Sequence, residues 1–137
     1  MAVVPQVSAI AVVGLPEFVM GDDVGAMIVE QCGLNGTVLA DGDLIVVAQK
    51  IVSKAEGAVA VIADQRPSDE AVELAETLGK DPRLVQIVLD QSARVVRAVP
   101  GVLIVETVHG FICANAGVDQ SNIEGEGLVT TLPVDSF

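Results

Sequence analysis

Two of the three lysines in the chain fall within one segment, Gln49-Lys50-Ile51-Val52-Ser53-Lys54-Ala55-Glu56-Gly57. Lys50 and Lys54 are four positions apart, so a helix or a strand carries both on one face. They follow the wholly apolar run Leu44 to Ala48, and strand ends are where α/β architectures often bind ligands. A cation pair there suits an anion, phosphate among them. The plain alternative is a solvated lysine pair with Glu56 as a partner. The segment is not a Walker loop, because no G-x-x-x-x-G-K-[ST] occurs in the sequence.

A second candidate is Asn115-Ala116-Gly117-Val118-Asp119-Gln120-Ser121-Asn122. Its small residues let backbone approach a ligand. Asp119 and Asn122 offer hard oxygen ligands of the kind Mg²⁺ or Mn²⁺ takes, and one carboxylate suffices where phosphate oxygens complete the shell. The same composition also reads as an Asx turn. Glu124 and Thr130 stand where an EF-hand needs Gly and Glu, which excludes that loop. The third candidate is the turn Gly14-Leu15-Pro16-Glu17, whose backbone could hold a base or a ribose. The lone His109 has no nucleophile beside it in an obvious motif, and Cys113 sits in an apolar run as a small hydrophobe.

The composition narrows the setting. The chain has 137 residues, one domain's worth, of which 51 % are hydrophobic and 2 % aromatic, so the core must be aliphatic. Its 19 acidic and 7 basic residues leave a net charge of -12, which argues against nucleic acid as a partner. A nucleotide needs only a few placed cations and backbone N–H groups, and stays open. Two scattered cysteines and one histidine give no zinc pattern and read as free thiols in a reducing cytosol. No Lys or Arg precedes Val7, so no signal-peptide n-region is expected, and no apolar run approaches the ~20 residues of a membrane span.

These candidates need elements to hold them. The sequence predicts a strand over Ser8 to Val13 and a helix opened by Asp22 and Asp23 through Val24, Met27 and Ile28. A second strand is expected at Leu44 to Ala48, followed by a helix or loop to Gly57, and another strand at Val59 to Ile62. Ser68 reads as the N-cap of a helix whose stripe is Val72, Ala75 and Leu78 or Ala71, Leu74 and Leu78. Asp81-Pro82 opens another, with Leu84, Ile87, Val88 and Val95 inward and Pro100-Gly101 as its stop. Strands are expected at Val102 to Glu106, Phe111 to Ala114 and Leu128 to Leu132. Strands and helices that mix without strict alternation predict an α+β fold, a mixed sheet with packed helices.

Taken in order, these segments resemble the coenzyme F-420-0:gamma-glutamyl ligase family from about Val12 to Pro133. The resemblance rests on Gly14-Leu15-Pro16-Glu17 with Gly21-Asp22-Asp23, on Gly42-Asp43 through Gly57, on Glu106-Thr107 to Gly110, on Ala116 to Asn122, and on Leu132-Pro133. It implies a cytoplasmic, homodimeric enzyme of coenzyme F-420 biosynthesis. GTP with Mn²⁺ or Mg²⁺, and room for a monovalent cation, would activate the carboxylate of the deazaflavin's phospholactyl tail as an acyl phosphate. The amine of L-glutamate would then form the amide, with GDP and phosphate released. Residue by residue, it implies that Leu15, Pro16, Glu17 and Phe18 form a GTP-contacting loop. Lys54, Gln49 and Asn122 would be further GTP contacts, and Asp119 a metal ligand.

Members of the family carry a second half with an Asp-Thr-x-Gly-Arg segment, which this sequence lacks. Residues 1–137 are therefore expected to be the N-terminal part of such a ligase domain, without its catalytic C-terminal half. The 137-residue chain is expected to be inactive alone. A non-catalytic nucleotide-binding or assembly module is the rival reading.

Overall fold

A computed structural model describes residues 7–120 and 127–134. Four helices and five strands occur among them: α1 (Val24–Leu34), α2 (Gln49–Ala55), β1 (Val59–Val61), α3 (Asp69–Leu78), α4 (Pro82–Asp90), β2 (Ser92–Val99), β3 (Val102–Thr107), β4 (Ile112–Ala114) and β5 (Leu128–Thr130). The α+β class is as expected. Among the described residues the pairings are antiparallel, in two small sheets ordered β1-β5 and β2-β3-β4.

Local chemistry sets the helix boundaries. The Asp23 carboxylate accepts from Ala26 N at 2.9 Å and caps α1. The Ser68 hydroxyl accepts from Ala71 N at 3.2 Å and caps α3, which Gly79 ends at φ 66. Asp81 accepts from Arg83 N at 2.8 Å and caps α4, with Pro82 at the first helical position. Each side chain satisfies an amide that a helix start would otherwise leave bare.

Helices α3 and α4 lie against the β2-β3 hairpin. Ala71, Ala75, Leu78, Val85, Val88, Leu103, Val105 and Ala116 form the main core. The α3 stripe thus combines the two expected ones, while Val72 is exposed. A second cluster of Ile62, Ile87 and Val129 joins α4 to the β1-β5 pair. Each fully buried Val or Leu contributes on the order of 1.5–3 kcal/mol.

Three expectations are corrected. The helix from Pro82 stops at Asp90, and Ser92–Val99 is strand. Gln91 N closes α4 on the Ile87 and Val88 carbonyls, and Val99 pairs with Val102 around Pro100-Gly101, which is a hairpin turn and not a helix stop. Residues 8–13 and 44–48 form no strand. Ile10 and Val13 are exposed, and Leu44 and Val46 are 91 % and 93 % exposed. Apolar β-branched residues make a strand only when a neighbour supplies hydrogen bonds and a packing surface. The last strand is shorter than expected and ends at Thr130.

The contrast is measurable by urea unfolding. Leu103→Ala should lose about 2–5 kcal/mol, since Leu103 is 1 % exposed in the main core. Leu44→Ala should change stability by less than about 0.5 kcal/mol. Equal losses would mean that the core lies elsewhere.

Candidate functional site

Helix α2 is short, and its position is fixed from outside. The buried Ser53 hydroxyl donates to the Thr131 carbonyl at 2.7 Å, and Gln49 Nε2 donates to the same carbonyl at 3.0 Å and to Ser53 Oγ at 2.5 Å. Backbone bonds Ala58 N to Ser53 O and Thr131 N to Ala58 O continue the tie. The Gln49 amide nitrogen, in a residue expected to contact nucleotide, is thereby engaged in holding the helix.

With that face anchored, the adjacent face presents the two lysines. Lys50 Nζ is 2.7 Å from Asp119 Oδ2, and Lys54 Nζ is 2.7 Å from Glu17 Oε2. Both lysine side chains are partly buried, at 23 % and 16 % exposure, whereas Glu17 is 73 % exposed. One helical turn, about 6 Å of rise, separates them. The segment around Glu17 and the segment around Asp119 are distant in sequence and meet along this turn.

The Leu15–Phe18 loop is held at both ends. Val13 O accepts from Gln31 Nε2 of α1 at 2.8 Å and from Nδ2 of Asn35, the C-cap of α1, at 2.9 Å. Gly21 N donates to Ala55 O at the end of α2 at 2.8 Å. Gly14 has φ 85, a left-handed conformation that favours glycine. Phe18 is buried and anchors the loop inward, while Pro16 and Glu17 are exposed.

Asp119 is positioned by backbone: its N–H donates to Thr130 O at 3.0 Å and its carbonyl accepts from Thr130 N at 2.9 Å. Just before it, Asn115 and Ala116 adopt left-handed φ of 52° and 53° and Gly117 follows at 72°. Non-glycine residues seldom take this conformation, and it persists where the surroundings enforce it. Here Ala116 is fully buried in the core, Val118 N bonds Asn115 O at 2.9 Å, and Lys80 Nζ donates to Asn115 Oδ1 at 2.8 Å. Asn122 lies outside the described residues.

A pocket of about 580 Å³ opens beside this turn. Asp119 lines it, together with Lys80, Asp81 and Asn115 and apolar side chains of α4 and β3, while Lys54 and the Leu15–Phe18 loop stand outside its lining. Sequence reasoning passed over Lys80, whose isolated position in a helix-end segment gave no signal. The guanidinium of Arg83, bonded to both oxygens of Asp81, holds that carboxyl below its ordinary value of 3.8.

His109 and Cys113 stand apart from these contacts. His109 Nε2 lies 3.2 Å from Val134 O and its ring packs 6.4 Å from that of Phe111. Cys113 is in β4 opposite Val105. Among the described residues no three His, Cys, Asp or Glu side chains converge as metal ligands. Asp119 is the one carboxylate of this loop among the described residues, and it is bonded to Lys50.

Comparison with known proteins shows the family of the chain. The sequence profile of the F420-0:Gamma-glutamyl ligase family matches residues 13–137. The chain is 45 % identical over 129 residues to the coenzyme F420:L-glutamate ligase of Methanothermobacter thermautotrophicus, covering 94 % of this chain and 51 % of that protein. It is 43 % identical over 115 residues to the ligase of the same name from Methanopyrus kandleri (84 % and 43 % covered) and 40 % identical over 127 residues to that of Halobacterium salinarum (88 % and 48 %). The chain therefore belongs to the F420-0:gamma-glutamyl ligase family. It spans about half the length of the curated relatives it matches.

Gly117 offers a test of how Asp119 is placed. A Cβ at Gly117 would come within 2.8 Å of Leu132 Cδ2, at a left-handed φ. Gly117→Ala should cost more than about 1 kcal/mol and shift the amide resonances of Asp119 and Thr130. A variant of unchanged stability and spectrum would show that the turn is not enforced.

Proposed function

We propose that this chain carries the nucleotide side of a GTP-dependent ligase that joins L-glutamate to coenzyme F-420-0. The observation that carries the reading is the pair of partly buried lysines on one face of α2, each 2.7 Å from a carboxylate of a different segment. In a chain at -12, two such cations form a local anion site. Glu17 and Asp119 occupy in this structure the positions that phosphate oxygens would take beside Lys54 and Lys50.

In this reaction an oxygen of the acceptor's terminal carboxylate attacks the γ-phosphorus of GTP, and the bond to GDP breaks. The glutamate amine then attacks the acyl carbon of the resulting acyl phosphate, loses a proton, and expels phosphate. Both steps bring anionic groups together, and fixed positive charge lowers their cost. Lys54 and Lys50 supply it here, the Leu15–Phe18 loop supplies backbone and the Glu17 side chain at the nucleotide, and Gln49 keeps its carbonyl oxygen for a contact. Asn122 is a further nucleotide contact on this reading. Asp119 would be one ligand of the Mn²⁺ or Mg²⁺ that accompanies GTP, an ion that would neutralise phosphate charge, with its other ligands outside the described residues. The reaction is cytoplasmic and the enzyme a homodimer on the same reading. No described helix is long and apolar enough to cross a membrane.

Calorimetric titration of GTP into variants tests the proposal. Lys54→Ala should weaken binding about tenfold or more, since a charge-assisted phosphate contact contributes about 1.5–3 kcal/mol. Lys80→Ala should bind GTP as the unchanged chain does. Equal affinities for the two variants would remove Lys54 from the nucleotide site.

A further inference from the structure

The pocket beside the left-handed turn has an uneven distribution of charge. Two carboxylates line it, and each has a cation of its own. Asp81 is held by Arg83 through Nη2 at 2.7 Å and Nε at 3.1 Å, and Asp119 is held by Lys50 at 2.7 Å. Lys80, partly buried on the same wall, reaches no carboxylate among the described residues. Its ammonium is fixed instead by a neutral group, the side-chain oxygen of Asn115, at 2.8 Å. Withdrawing an ammonium from water without an opposing charge is costly, and a site that maintains one is suited to an anion.

The anchor for that ammonium is itself built with strain. Asn115 stands at φ 52 and is followed by the buried Ala116 at φ 53, so the side chain that orients Lys80 is fixed by a backbone conformation with little freedom. Leu84 and Val118, both partly exposed, supply an apolar wall backed by the buried Val88 and Leu103. An apolar cavity with a few convergent polar groups is the usual form of a small-molecule site.

We infer that this pocket is a carboxylate subsite: Lys80, oriented by Asn115, receives a carboxylate of a small aliphatic acid whose methylene or methyl groups lie on Leu84 and Val118. The inference goes beyond the nucleotide reading in assigning a second site with its own cation, and rests on the ligase reading only for the choice of probes. Two sources share this chemistry, the side chain or α-carboxylate of L-glutamate and the carboxylate of the acceptor's phospholactyl tail.

The experiment is an amide-resolved NMR titration of the 137-residue chain with L-glutamate in one arm and 2-phospho-L-lactate in the other. At least one probe should saturate and shift the amides of Lys80, Asn115 and Val118, and the arm that does so identifies the source. Lys80→Gln should weaken that probe tenfold or more, and Lys80→Arg should recover part of the loss. Neither probe moving those amides, or equal affinity for Lys80→Gln, would overturn the inference. The wild-type footprint stands whether or not the variants fold. GTP titrated into the same samples separates the two readings: Lys80→Gln should bind GTP normally, so loss of the carboxylate site alone leaves the nucleotide proposal intact.

Discussion

The carbonyl oxygen of Thr131 determines where the charges of this protein stand. It receives hydrogen bonds from Ser53 and Gln49, one turn apart on α2. Residues 49 and 53 form one stripe of the helix and residues 50 and 54 the next, about 100° around. Anchoring the first stripe therefore aims the second. Ser53 is fully buried, and a buried hydroxyl left without its partner costs about 1–3 kcal/mol, so the tie resists register changes. The preceding residue, Thr130, bridges Asp119 in both directions. Two consecutive residues thus grip the lysine helix and the carboxylate loop, and the Lys50–Asp119 ion pair closes the ring.

This construction reconciles an acidic chain with the anion site proposed for it. The net charge of -12 is a property of the whole sequence, while binding depends on the few groups within a Debye length of the ligand. The cations that matter are partly buried and ordered, so they lose less conformational freedom when an anion arrives. Glu17, largely exposed, has little to lose on release from Lys54, since exposed ion pairs contribute about 0–1 kcal/mol. Exchange of a surface carboxylate for a phosphate is therefore favoured by charge and is not opposed by burial.

Much of this was legible in the sequence where the chemistry is local. Asp22-Asp23 as first-turn acids, Ser68 as an N-cap and Pro82 at a first helical position announced three helices, and Pro100-Gly101 marked a break, read as a helix stop where the structure has a hairpin turn. Lys50, Lys54 and Asp119 stood out by residue type and spacing, and the structure brings all three together with Glu17. What depends on distant partners was not legible. Residues 8–13 and 44–48 are strand-like in composition, but a strand is completed by a neighbour, and neither segment has one among the described residues. Gln49 gave no sign of its structural bond, because its acceptor lies 82 positions away. Lys80 became visible only when the left-handed Asn115 was placed beside it.

The central claim is that one turn of α2 unites the Leu15–Phe18 loop and the Asp119 loop around a single nucleotide. The most direct test is an amide-resolved NMR footprint of GTP on the 137-residue chain. The account predicts that the amides of Leu15, Glu17, Phe18, Lys50, Lys54 and Asp119 shift together along one binding curve, with those of β2 unmoved. Shifts confined to only one of these segments, or two segments following different binding curves, would contradict it.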